Sequence, residues 1–208
     1  VVGSASDDDG EVVKLIATRV GPDGAIDPGF GGSGRFVLDF SNLGLGYLRG
    51  MAWGVAIDSA GRAVVVGELE DGGTRRPLIF RLTPTGGLDA TFFGDGVAVG
   101  VEAGVALDVA VDRASGVIWV IGTTASNLIW TWRWQSGSPA EQNWFIPDAD
   151  DHAGRRILIQ PDGKAILAGN WLPAGTSNFE LFVARVTAAG TSADPTFGTG
   201  GLASHGFD

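Results

Sequence analysis

Four arginines and four acids recur at a spacing that could build either ion pairs or an anion site. Arg19, Arg81, Arg133 and Arg185 each close an apolar run, and Asp27, Asp89, Glu141 and Asp194 follow at offsets of 8, 8, 8 and 9 residues. An aromatic stands three residues beyond every acid: Phe30, Phe92, Trp144 and Phe197. Two chemistries fit. Guanidinium groups gathered in a ring would line an anion-binding channel. Within one unit, each would instead meet its own carboxylate in a charge-assisted pair that the aromatic shields from water. Repetition in every unit favours architecture, because a functional site seldom recurs identically in each repeat. The expected pairs are Arg19 with Asp27, Arg81 with Asp89, Arg133 with Glu141 and Arg185 with Asp194.

Other candidates are weaker. Asp148, Asp150 and Asp151 place several oxygens in a short span, which suits a hard cation such as calcium, although the run lacks EF-hand spacing and a turn glycine. A solvated linker explains it as well, and no other cofactor is indicated. The Asp7-Asp8-Asp9-Gly10 run reads as a hairpin tip. Five of the seven tryptophans lie between positions 119 and 144. Trp130, Trp132 and Trp134 alternate, so a strand presents all three on one face. With Trp144 they are candidate aromatics for a sugar or a protein partner, against a packing role suggested by Ile, Leu, Phe and Val at the equivalent positions of the other units. His152 and His205 are the only histidines, and no serine sits in a Gly-x-Ser-x-Gly elbow. No catalytic constellation is recognisable. Carboxylates from different repeats could still meet around a glycosidic bond.

Composition narrows the classes. The 208 residues carry 14 basic and 24 acidic side chains, a net charge of -10, which argues against binding nucleic-acid phosphates. The chain has no cysteine, hence no disulfide or thiolate metal site. No apolar stretch is long enough to span a membrane. The first residue is Val, and no charged-then-apolar leader follows, so a processed or partial chain is expected.

The elements that must hold the recurring residues are short and extended. Apolar runs ending in glycine recur at Val64-Val65-Val66-Gly67, Ile118-Trp119-Val120-Ile121-Gly122 and Ile166-Leu167-Ala168-Gly169. Each follows an Asp/Gly turn and another apolar run, the pattern of a hairpin. The arginines are 62, 52 and 52 residues apart, a period that indicates a propeller, solenoid or array. The units run roughly over 1–45, 46–101, 102–150 and 151–208 within a single repeat domain. Four short antiparallel strands per unit make one propeller blade, and strands apolar on both faces, as around the arginines, belong inside a stack. The fold expected is an all-β propeller, or part of one, with about four blades and the first blade lacking its first strand.

The segments Gln160-Pro161-Asp162-Gly163-Lys164-Ala165-Ile166-Leu167-Ala168-Gly169, Phe182-Val183-Ala184-Arg185-Val186 and Ala193-Asp194-Pro195-Thr196-Phe197-Gly198 resemble the bacterial delta-60 repeat. The second unit is similar at Phe80-Arg81-Leu82 and Leu88-Asp89-Ala90-Thr91-Phe92, and the first at Ile26-Asp27-Pro28-Gly29-Phe30-Gly31; the third departs most. The resemblance implies propeller-like blades in an exported or surface-associated bacterial protein, at the cell surface, in the periplasm or outside the cell. It carries over no catalytic residue. The function expected is a non-enzymatic binding or scaffold module whose partners are other protein chains or further blades. The alternative is a polysaccharide-active hydrolase or lyase, or a glycan-binding propeller.

Overall fold

The computed structural model describes residues 2–6, 12–40, 49–136, 138–140 and 149–206. Among them the regular structure is all β, and no helix is long and apolar enough to cross a membrane. Fifteen strands form four antiparallel sheets, each a meander in chain order. The first holds β1 (Val2–Ser6), β2 (Val12–Thr18) and β3 (Arg35–Asp39). The second holds β4 (Arg49–Ile57), β5 (Ala63–Asp71), β6 (Thr74–Leu82) and β7 (Val97–Val99). The third holds β8 (Gly104–Val111), β9 (Ile118–Thr124), β10 (Ile129–Gln135) and β11 (Ser138–Ala140). The fourth holds β12 (Ala149–Ile159), β13 (Ala165–Pro173), β14 (Glu180–Val186) and β15 (Leu202–Gly206). Four-stranded antiparallel meanders of this kind are propeller blades, and the first blade has three strands. The chain forms two compact units, Val1–Ala106 and Leu107–Asp208.

Local chemistry explains the hairpins. At the β4–β5 turn, Asp58 Oδ1 accepts hydrogen bonds from the backbone N–H groups of Ala60 and Arg62, both at 2.9 Å. Gly61 then takes φ of +77°, which a side chain would resist. Gly163 fills the same place between β12 and β13, with φ of +81°.

Two of the glycines that close the apolar runs lie opposite bulges. Gly67 lies inside β5 and Gly169 inside β13. Opposite Gly67 the β4 ladder slips by a residue between Ala52 and Gly54, and opposite Gly169 the β12 ladder slips between Gly154 and Arg156. Each bulge drives a carbonyl oxygen, of Met51 or Ala153, into the space a Cβ would need. Strand pairing therefore continues past the glycine.

In the first unit, Leu15, Ala17 and Leu38 of the first blade pack with Val65, Leu78 and Phe80 of the second. By strand alternation, the face of the first blade that carries Arg19 meets the face of the second that does not carry Arg81. The second unit repeats this arrangement. Trp119, Ile121 and Ile129, on the Arg133 face of the third blade, pack with Leu167, Phe182 and Val186, on the face of the fourth opposite Arg185. Each fully buried large side chain in these layers contributes about 1.5–3 kcal/mol.

Candidate functional site

The repeated arginine and acid are first joined through the backbone. The N–H of Asp27 donates to the carbonyl of Arg19 at 2.9 Å, that of Asp89 to Arg81 at 2.9 Å, and that of Asp194 to Arg185 at 2.7 Å. One β-bridge closes each loop just inside: Val20 with Ile26, Leu82 with Leu88 and Val186 with Ala193. The offset of 8 becomes 9 in the fourth blade because the turn is one residue longer. Thr83 N–H reaches Gly87 O, whereas Thr187 N–H reaches Ser192 O.

Side chains then complete a clasp. Arg Nε donates to aspartate Oδ2 at 2.8 Å in Arg19–Asp27, 2.8 Å in Arg81–Asp89 and 2.7 Å in Arg185–Asp194. The other oxygen, Oδ1, accepts from the backbone two residues on, at Gly29, Thr91 and Thr196. Thr91 and Thr196 add a hydroxyl that donates to Oδ1 while accepting from Arg Nη2. The N–H of the aromatic donates to the acid's carbonyl in all three turns, at 3.1, 2.9 and 3.1 Å, which fixes the three-residue spacing. Phe30, Phe92 and Phe197 thereby lie under the guanidinium carbon, with ring centroids 5.2, 4.7 and 5.0 Å away.

The clasps differ in exposure. Arg81 and Asp89 side chains are 3% and 8% exposed, whereas Arg19 and Asp27 are 44% and 35% exposed. Desolvation, then the nearby Arg62 charge, lowers the Arg81 pKa. Burial works against ionised Asp89, yet hydrogen bonds from Thr91 and the Arg81 charge hold its pKa below the ordinary value.

A second cation escaped the sequence reading. Arg62 sits between Asp58, at 2.7 Å, and Asp89, at 3.5 Å, while Lys164 bonds Asp194 at 2.9 Å. Both directly follow the turn glycine, Gly61 or Gly163, and that common placement was the available signal. Lys164, followed by Thr196, depresses the Asp194 pKa far below the usual carboxylate range.

The third blade departs. Arg133 stands 5.9 Å from the Trp119 ring, its partner across the β9–β10 ladder, and its Nε donates to the carbonyl of Ala188 at 3.1 Å. Glu141 and Trp144 lie outside the described residues. Trp132 and Trp134 are buried and Trp130 is half-buried. Asp148 and the side chains of Asp150 and Asp151 lie outside the described part, as does the Asp7-Asp8-Asp9-Gly10 run. Among the described residues, no group of three or more acids and histidines is placed to hold a metal ion.

Each unit also joins its two blades through this machinery. In the first unit, Arg19 Nη1 donates to the carbonyl of Pro84, and the N–H of Gly31 donates to that of Thr85 at 2.8 Å. Gly86, with φ of +85°, lies so close to the Phe30 ring that an added Cβ would stand 3.0 Å from it. In the second unit, Ala188 takes the place of Pro84, three residues past its arginine. Gly190 takes that of Gly86, and a Cβ there would be 3.0 Å from Trp119. Arginine, aromatic and following N–H thus form a socket that receives the turn of the next blade.

One further carboxylate is unusual. Glu68 is buried beneath the exposed Trp53, whose Nε1 donates to it at 3.4 Å, and Arg75 is 3.7 Å away. Desolvation raises the Glu68 pKa despite Arg75. No reading of spacing singled it out, because Trp53 reaches it only through the β4 bulge.

Comparison with known proteins places the socket motif in context. The family described as "Domain of unknown function (DUF5122) beta-propeller" matches residues 61–92, the stretch from the turn glycine through Arg81 and Asp89 to Phe92. A search of the curated proteins gave no match. The second blade is thus similar to a β-propeller repeat in the segment that builds the clasp.

Proposed function

We propose that the chain is a non-enzymatic binding or scaffold module of the delta-60 type, working in an exported or surface-associated bacterial assembly. The observation that carries this reading is the use made of the charged groups. In the first, second and fourth blades the recurring cations and carboxylates neutralise one another inside a turn, and within each unit an arginine, Arg19 or Arg133, holds the turn of the next blade. Export follows from the repeat resemblance. Cross-linking and affinity capture from the extracellular and periplasmic fractions of the native bacterium should retrieve defined protein partners. Capture of none would overturn the reading.

The alternative, turnover or binding of a polysaccharide, draws on Glu68. A buried carboxyl with a raised pKa beside an exposed indole is the pairing expected of a proton donor next to a sugar-stacking surface. Hydrolysis or elimination across a glycan panel, abolished by Glu68→Gln, would establish it. Sugar affinity that survives the substitution would indicate a lectin-like role.

A further inference from the structure

Two of the three clasps carry a proline directly after the acid. Asp27-Pro28 and Asp194-Pro195 stand where the second blade has Asp89-Ala90. An Asp-Pro bond can be broken by its own side chain. The carboxylate is a nucleophile, and the proline nitrogen, part of a tertiary amide, leaves readily once protonated.

The turn brings the reacting groups together. Asp27 Oδ1 accepts from the Gly29 N–H at 2.9 Å, and the ring closed by that bond runs through the C–N bond between Asp27 and Pro28. The carboxylate is thereby folded over the peptide unit it would attack. The Phe30 N–H donates to the Asp27 carbonyl oxygen at 3.1 Å, the atom on which negative charge develops during attack. The fourth blade repeats both bonds, from Thr196 at 3.0 Å and Phe197 at 3.1 Å. What differs is the grip on the carboxylate. Asp194, with its side chain 5% exposed, is also held by Arg185 at 2.7 Å, Lys164 at 2.9 Å and the Thr196 hydroxyl at 2.8 Å. Asp27, 35% exposed, has only Arg19 beside the Gly29 bond.

We propose that the bond between Asp27 and Pro28 is a self-cleavage site, and that the added lysine and threonine contacts lock the equivalent bond of the fourth blade. Asp27 Oδ1 leaves the Gly29 N–H and bonds to the Asp27 carbonyl carbon. The C–N bond to Pro28 then breaks, and the proline nitrogen takes a proton from solvent. The product is a cyclic anhydride of Asp27, which one water opens to two carboxyl groups. The sum is hydrolysis of one peptide bond, with nothing oxidised or reduced. The Gly29 N–H, then Arg19, lowers the Asp27 pKa, so the nucleophile stays ionised at the mildly acidic pH that supplies the proton. Arg19, at the end of β2, is the charged group facing it. The cut falls between β2 and β3, whose ladder runs from Lys14 with Asp39 to Thr18 with Arg35 and keeps the two pieces paired.

Denaturing mass spectrometry over a time course tests this, at the lowest pH where near-UV circular dichroism still matches that at neutral pH. The folded chain should yield pieces ending at Asp27 and beginning at Pro28. The bond between Asp194 and Pro195 should break at least about tenfold more slowly, because a further charge-assisted hydrogen bond must be given up. In denaturant at the same pH the clasps are gone, and the two bonds should break at comparable rates. Pro28→Ala, which keeps the carboxylate and its partners, should abolish the first cut. Lys164→Met should speed the second in the folded chain and leave its rate in denaturant unchanged. Cleavage through global unfolding would cut both bonds alike. A folded chain in which the Asp27-Pro28 bond breaks no faster than Asp194-Pro195, or no faster than Asp89-Ala90, therefore overturns the proposal. A Pro28→Ala variant cut like the parent does so too.

Discussion

Arg81 and Asp89 are bonded to each other twice in opposite directions. The Asp89 N–H donates to the Arg81 carbonyl at 2.9 Å, and Arg81 Nε donates back to Asp89 Oδ2 at 2.8 Å. The backbone bond puts the carboxylate beside the guanidinium whether or not the charges attract. The ion pair then stiffens a turn already closed, and its value depends on exposure.

Asp89→Ala should therefore cost about 3–5 kcal/mol, since it strands Arg81 in a buried site. Asp27→Ala, removing a half-exposed partner from the same motif, should shift the unfolding midpoint only slightly. Chemical denaturation of both variants checks the contrast. Equal losses would mean that shielding by the aromatic does not set the strength of the clasp.

Adjacent phenylalanines in the second blade should behave differently. Phe92 is fully buried under Arg81, so Phe92→Ala is expected to cost about 3–5 kcal/mol. Phe93 is 42% exposed with φ of +51°, where the first and fourth blades have Gly31 and Gly198. Phe93→Gly relieves about 1–2 kcal/mol of left-handed backbone cost. Against that it loses the edge contact with Phe92, at 4.7 Å, and gains chain entropy on unfolding. The net change should stay within about 1 kcal/mol in a thermal melt.

The clasp was legible in the residues because backbone hydrogen bonds dictate its spacing, and a fixed ring of atoms leaves a fixed interval in the chain. What lay across strands was not. Gly67 and Gly169 stand out in the sequence only as the ends of apolar runs, yet they answer to bulges in the neighbouring strands, which no interval within their own runs encodes. Arg62 and Lys164 join the acids of Asp89 and Asp194 from 27 and 30 residues away, through the fold and not through a local motif. Trp119 lies beside Arg133 through cross-strand pairing, a contact invisible to a search along one segment.

The bulge assignment has its own consequence. Gly67→Ala should destabilise by at least about 2 kcal/mol, because the new methyl meets the backbone carbonyl of Met51 and no rotamer can relieve it. Gly87→Ala is the control: its nearest neighbour to a Cβ is the Thr83 hydroxyl at 3.7 Å, so the change should stay within about 0.5 kcal/mol. Urea midpoints at constant slope decide this. A neutral Gly67→Ala would show that the ladder relaxes around the bulge.

Stability should vary with pH in two opposed steps. Hydrogen bonds and cations lower the folded pKa values of Asp58, Asp89 and Asp194 below the ordinary 3.8. Their contribution is present above 3.8 and is lost as pH falls through the depressed folded values. Glu68 has the reverse sign. Its folded pKa is raised above 4.5, so its contribution is complete below 4.5 and disappears as pH rises through the raised value. Lowering the pH from neutral should first stabilise the fold and then, below about 3.8, destabilise it. Glu68→Gln should abolish the first change while leaving the acid limb, and Asp194→Asn should shallow the acid limb while leaving the first change. Melting curves across this range test the assignment, and a Glu68→Gln profile identical to that of the parent would refute the role given to that carboxyl.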